Sequence, residues 1–111
     1  DEFLESMAEA GKAVSDAMDH GKNIAYVSVM NRLSVDCDCD GNPAEPDMHD
    51  IGILASTDAL AIDQAGIDIV YASPDKDSLV ARIERQNGLH TLEHAEKMGL
   101  GHREYKLVVV K

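Results

Sequence analysis

The sequence predicts an α/β fold: a small, mostly parallel sheet of about three strands flanked by helices, expected to be a piece of a larger α/β protein. Two observations predict it. Apolar residues recur at helical spacing over residues 1–20 and 58–71, whereas residues 24–35, 51–55 and 105–110 are short β-rich runs. The resulting order is helix, strand, loop, strand, three helices, strand, and strands separated by helices call for right-handed crossovers in a parallel sheet. A chain of 111 residues with 44% apolar content fits a single compact domain, 1–111.

Each element has its own signal. Phe3, Leu4, Met7, Ala10, Val14 and Met18 share one broad helical face, and Gly21 is suited to end that helix. Tyr26, Val27, Val29, Leu33 and Val35 then give a β pattern. Pro43 and Pro46 exclude residues 41–50 from a helix interior or a central strand. Ile51-Gly52-Ile53-Leu54-Ala55 is a short apolar run between polar residues, as a buried parallel strand would be. Ser56, Thr57 or Asp58 caps the next helix, which Ser73-Pro74-Asp75 breaks. Shorter helices near 76–87 and 91–98 flank Asn87-Gly88, and Gly99 and Gly101 precede the last run.

Charge and cysteine usage narrow the function. Asp and Glu number 21 against 10 Lys and Arg, a formal charge of −11, and such a field repels nucleic acid and anionic membranes. No apolar run approaches the roughly 20 residues of a spanning helix, and no signal peptide opens the chain. Cys37 and Cys39 stand two apart, where a disulfide would close a tiny loop and stabilise little, so a reduced, cytoplasmic setting is expected.

The chemistry concentrates in Asp36-Cys37-Asp38-Cys39-Asp40-Gly41, which holds three carboxylates and both cysteines of the chain. Charges this dense need a cation or hydrogen-bond donors among them. Asp36, Asp38, Asp40, Gly41 and Asp47 follow most of a calcium EF-hand loop, but Pro43 and Pro46 fall where its short strand and exiting helix should form. Cys37 and Cys39 suit a soft divalent metal that needs two further ligands, with His49, His20 or His102 as donors. The plain structural alternative is two buried thiols beside turn-forming aspartates. A thiol nucleophile is disfavoured, because neighbouring carboxylates raise a thiol pKa. Candidate metal ligands are thus Cys37, Cys39, Asp36, Asp38 and Asp50.

In an open parallel sheet, residues 36–40 and 56–58 would share the rim beyond the strand carboxyl ends. Asp58, Asp63 and Gln64 are the candidate cofactor-binding residues on that rim, Asp58 serving also as an N-cap. His90-Thr91-Leu92-Glu93-His94 spells the H-x-x-E-H pattern of inverted zinc peptidases. Too little chain follows for the third ligand, so a solvated helix face is the expectation there.

Asp36-Cys37-Asp38-Cys39, then Pro46-Asp47, then the run from Asp50-Ile51-Gly52 through Ser56-Thr57-Asp58 to Ile62-Asp63-Gln64-Ala65 give the chain a family likeness. It resembles the carboxy-terminal part of the domain-of-unknown-function 362 family, the iron–sulfur-centre proteins of bacteria and archaea, over nearly its whole length. Met30-Asn31 and the closing Gly99-Leu100-Gly101 with Glu104-Tyr105 fit as well. The family often has Pro where this chain has Ala59. The resemblance implies an iron–sulfur cluster held elsewhere in the full-length protein, by a ferredoxin-like segment with Cys-x-x-Cys spacing that this sequence does not contain. The implied partners are that ferredoxin-like segment and the amino-terminal segments of the same protein. The expected function is a domain contributing a metal- or redox-centre-facing site. The alternatives are a non-catalytic packing or partner-docking domain, or a calcium-stabilised acidic loop.

Overall fold

The computed structural model describes residues 1–36 and 39–110. The elements are α1 (Glu2–Ala17), β1 (Tyr26–Met30), β2 (Gly52–Ser56), α2 (Ala59–Ala72), α3 (Asp77–Arg85) and α4 (Leu89–Lys97). The α1 helix stops where Asp19, His20 and Gly21 all take positive φ, and the Gly21 N–H donates back to the Ser15 carbonyl at 2.8 Å. Asp58 starts α2 from an extended backbone, its side chain accepting from the Leu60 and Ala61 N–H groups. Pro74 enforces the end of α2, since the residue before a proline is pushed out of helical geometry, and Ser73 is extended at ψ 144°.

The sheet differs from the expectation in both strand number and direction. β1 and β2 pair antiparallel, with Tyr26 opposite Ser56 and Met30 opposite Gly52, and form a two-stranded ribbon. A parallel pair needs a crossover packed against the sheet. The described residues between 31 and 51 contain no helix to supply one, so the chain turns back on itself, and the Ile51 N–H donates to the Met30 carbonyl at 2.9 Å. The expected third strand is also missing: residues 105–110 join no ladder. Residues 105–107 border a small hollow together with residues 54–56 of β2 and Ala61 and Ala65 of α2. The Tyr105 hydroxyl donates to Asp68 Oδ2 at 2.6 Å, which ties the segment to α2 instead of the plane of the sheet.

The core lies on two sides of α2. Ala8, Leu60, Leu92 and Ala95 join α1, α2 and α4, with Leu60 only 2% exposed. Met30, Met48 and Val70 form the other cluster, with Leu33, Ile51, Leu54, Leu79 and Val80 around them. The outer face of the ribbon is covered by nothing among the described residues. Val27 pairs with Ala55 and Val29 with Ile53 across it, and the three larger side chains are 59–67% exposed. An antiparallel sheet with one wet face normally alternates apolar-in with polar-out; here the uncovered face is the one made only of Val27, Val29, Ile53 and Ala55.

Candidate functional site

The antiparallel ribbon separates the two segments that were expected to share a rim. The carboxyl end of β1 leads into residues 31–36 and that of β2 into Ser56, Thr57 and Asp58, at opposite ends of the ribbon. Asp36 and Asp58 therefore do not face one site.

The acidic segment is held by hydrogen bonds within the fold. Asp36 Oδ2 accepts from the Ala44 N–H at 2.8 Å, and its Oδ1 meets the Arg82 guanidinium at 3.2 Å. The Ala44 N–H, reinforced by Arg82, holds the Asp36 carboxyl below the usual aspartate value. Arg82 also donates to the Val35 carbonyl at 2.7 Å, which pins the loop to α3. Asp40 accepts from the Asn42 N–H at 2.9 Å in a local turn, and Asp50 accepts from the Arg32 N–H at 2.7 Å. Cys39 is exposed. Cys37 and Asp38 lie outside the described residues. Among the described residues no group of three or more His, Cys, Asp or Glu side chains is placed to hold a metal ion.

The three candidate cofactor residues go to three different places. Asp58 spends both oxygens on the backbone: Oδ1 accepts from Leu60 and Ala61, and Oδ2 accepts from the His102 N–H at 2.9 Å. Gln64 Nε2 donates to Asp68 Oδ1 at 2.9 Å and borders a shallow polar hollow with Glu96, His102 and Arg103. Asp63 turns the other way, since consecutive helical residues diverge by about 100°. It lines an apolar cleft of about 400 Å³, within the size range of binding sites.

That cleft is a concave feature with predominantly apolar walls. It runs along β1 at Ser28, Val29 and Met30 and touches no residue of β2, so it flanks the edge of the ribbon that β2 does not cover. Gly66 and Val70 of α2 form its floor, and Leu79, Ile83 and Leu92 of α3 and α4 form its far wall. Met7 of α1 closes one end. Among the described residues Asp63 is the one charged residue in the lining. It makes no hydrogen bond or ion pair among the described residues; the residue as a whole is exposed, and the partial loss of water beside the apolar walls pushes its carboxyl up. Asp63 was legible as a candidate. The cleft was not, because its walls come from five elements and no sequence window contains them.

The H-x-x-E-H motif is not a solvated helix face. His90 and His94 turn toward α1, with side chains 25% and 20% exposed; His90 Nε2 lies 3.2 Å from Glu5 Oε1 and His94 Nε2 lies 3.5 Å from Glu9 Oε1. The motif is a polar seam between α1 and α4.

No helix among the described residues is long and apolar enough to cross a membrane. A family model described as a domain of unknown function, DUF362, matches residues 1–68, which takes in α1, the ribbon, the acidic segment and the first part of α2 with Asp58, Asp63 and Gln64. Neither the curated proteins nor the solved structures provide a match.

Proposed function

The chain belongs to the DUF362 family, and we propose that within that family it works as a non-catalytic docking module that takes an extended polypeptide into the cleft beside β1. The carrying observation is the open edge of β1 lying directly against an apolar cleft. Alternate residues of an edge strand turn their N–H and C=O groups outward, where an added strand can pair with them. Such strand addition draws affinity from main-chain hydrogen bonds and selectivity from pockets that take alternate side chains. The floor of α2 and the wall of α3 and α4 provide those pockets. A two-stranded ribbon is marginal by itself, so a third strand also supplies a stability the ribbon lacks.

The test is amide hydrogen exchange of residues 26–30 with a panel of extended apolar peptides, each paired with a backbone N-methylated copy. The expected result is protection on β1 that the N-methylated copies do not give. Equal protection from both copies, or none from any peptide, overturns strand addition.

A second reading keeps the exposed Cys39, next to Asp40 and three residues from Asp36 in the sequence, as part of a metal site or of a face toward an iron–sulfur cluster in a longer protein. Metal analysis of anaerobically purified chain against the Cys37→Ser/Cys39→Ser double variant tests it. Bound metal that disappears in the variant supports ligation by these thiols, and equal, negligible metal in both removes it.

A further inference from the structure

We infer that the strand received by the β1 cleft is the segment 106–110 of a second copy of this chain, a reading that rests on the docking function above. The donor is on view in each copy. Leu107, Val108, Val109 and Val110 are 53%, 69%, 73% and 90% exposed, and no other stretch of described residues exposes four consecutive large apolar side chains. The segment joins no ladder, and its β-branched residues favour strand geometry. Its five residues match the five of β1, each spanning roughly 17 Å at about 3.3 Å per residue.

Charge selects the same pairing. Residues 102–111 carry Arg103, Lys106 and Lys111 against Glu104, in a chain whose formal charge is −11. The lining of the cleft includes a carboxylate, that of the exposed Asp63, which has no cation beside it among the described residues. An apolar strand led by Lys106 offers both the side chains the walls take and the charge that Asp63 lacks. Within one copy the two cannot meet simply: Tyr105 is held by Asp68 of α2, the exposed residues 106 and 107 start out beside β2, and the cleft is lined by β1. Donor and acceptor on opposite edges of one ribbon give a head-to-tail contact, which builds rings or open chains.

Sedimentation velocity over a wide concentration range, on the intact chain and four variants, tests the assignment. The expected wild-type behaviour is concentration-dependent association that continues past the dimer. Val109→Asp changes an exposed residue and leaves the monomer fold alone; it is expected to weaken association at least about tenfold. Asp63→Lys and Lys106→Asp should each weaken it, and the double variant Asp63→Lys/Lys106→Asp should regain it. A wild-type chain that stays monomeric throughout, a Val109→Asp chain that sediments like wild type, or a double charge reversal that regains nothing overturns the assignment. A monomeric chain whose β1 amides are still protected by added extended peptides overturns self-donation while leaving the docking function standing.

Discussion

His94 Nδ1 on α4 lies 3.5 Å from Glu5 Oε1 on α1, and the same oxygen faces His90 Nε2 at 3.2 Å. One carboxylate thus serves two imidazoles across the helix seam, and Glu9 approaches His94 from its other side. The seam supplements the apolar contact of Ala8 with Leu92 and Ala95. Replacing His94 by Ala removes both the polar contact and a mostly buried ring, and is expected to lower unfolding stability by about 1–2 kcal/mol. Glu9→Ala, at a side chain 58% exposed, is expected to change it by less than about 0.5 kcal/mol. Urea denaturation of both variants checks the ranking, and a larger loss for Glu9→Ala would contradict it.

Asp63 gives a pH prediction of definite sign. Burial raises its carboxyl above the ordinary 3.8. A carboxyl raised in the folded state opposes folding above its folded pKa and stops doing so below its unfolded one. Asp63→Asn is therefore expected to stabilise the chain at pH 7, by no more than about 1 kcal/mol because the group keeps solvent contact. The gain should shrink as pH falls toward 4, as read by urea midpoints across that range.

Asp36, Asp75 and Glu96 carry the opposite sign. The Ala44, His49 and Arg103 N–H groups, each the largest influence, hold these carboxyls below their ordinary values of 3.8, 3.8 and 4.5. Carboxyls lowered in the folded state contribute stability that is fully present above those ordinary values and is lost as pH falls through the folded ones. The Asp36→Asn variant should lose part of the acid sensitivity of the wild type below about pH 4, with a shallower decline in melting temperature. An unchanged decline would mean that the Ala44 and Arg82 contacts do not persist in solution.

Asp58 links the start of α2 to the segment after α4 through its two oxygens. Asp58→Ala removes the cap and the His102 contact together, with an expected loss of about 1–2 kcal/mol. Gly101→Ala should act on the same joint, because an added Cβ would collide with the Asp58 carboxylate. Thermal melts of the two variants, and faster amide exchange at His102 in both, check this.

Much of the local structure was legible. Capping at Asp58, the break at Pro74, the turn at Gly21 and the helical periods placed the helices nearly where they lie, because each signal acts within a few residues. The acidic segment stood out as well, but its chemistry could not be read locally. Whether Asp36 meets a metal or an N–H depends on Ala44, eight residues on, and on Arg82, two elements away.

The sequence by itself determined the helices, their ends, the chain's strong negative charge and the apolar character of both strands, all properties of neighbouring residues. Only the tertiary structure decided that those strands run antiparallel, since direction depends on whether the connection at residues 31–51 can pack as a crossover. That decision parted Asp36 from Asp58 and left Asp63 in a cleft beside β1. It also left Leu107, Val108, Val109 and Val110 outside the sheet, because the Tyr105–Asp68 contact holds their segment to α2.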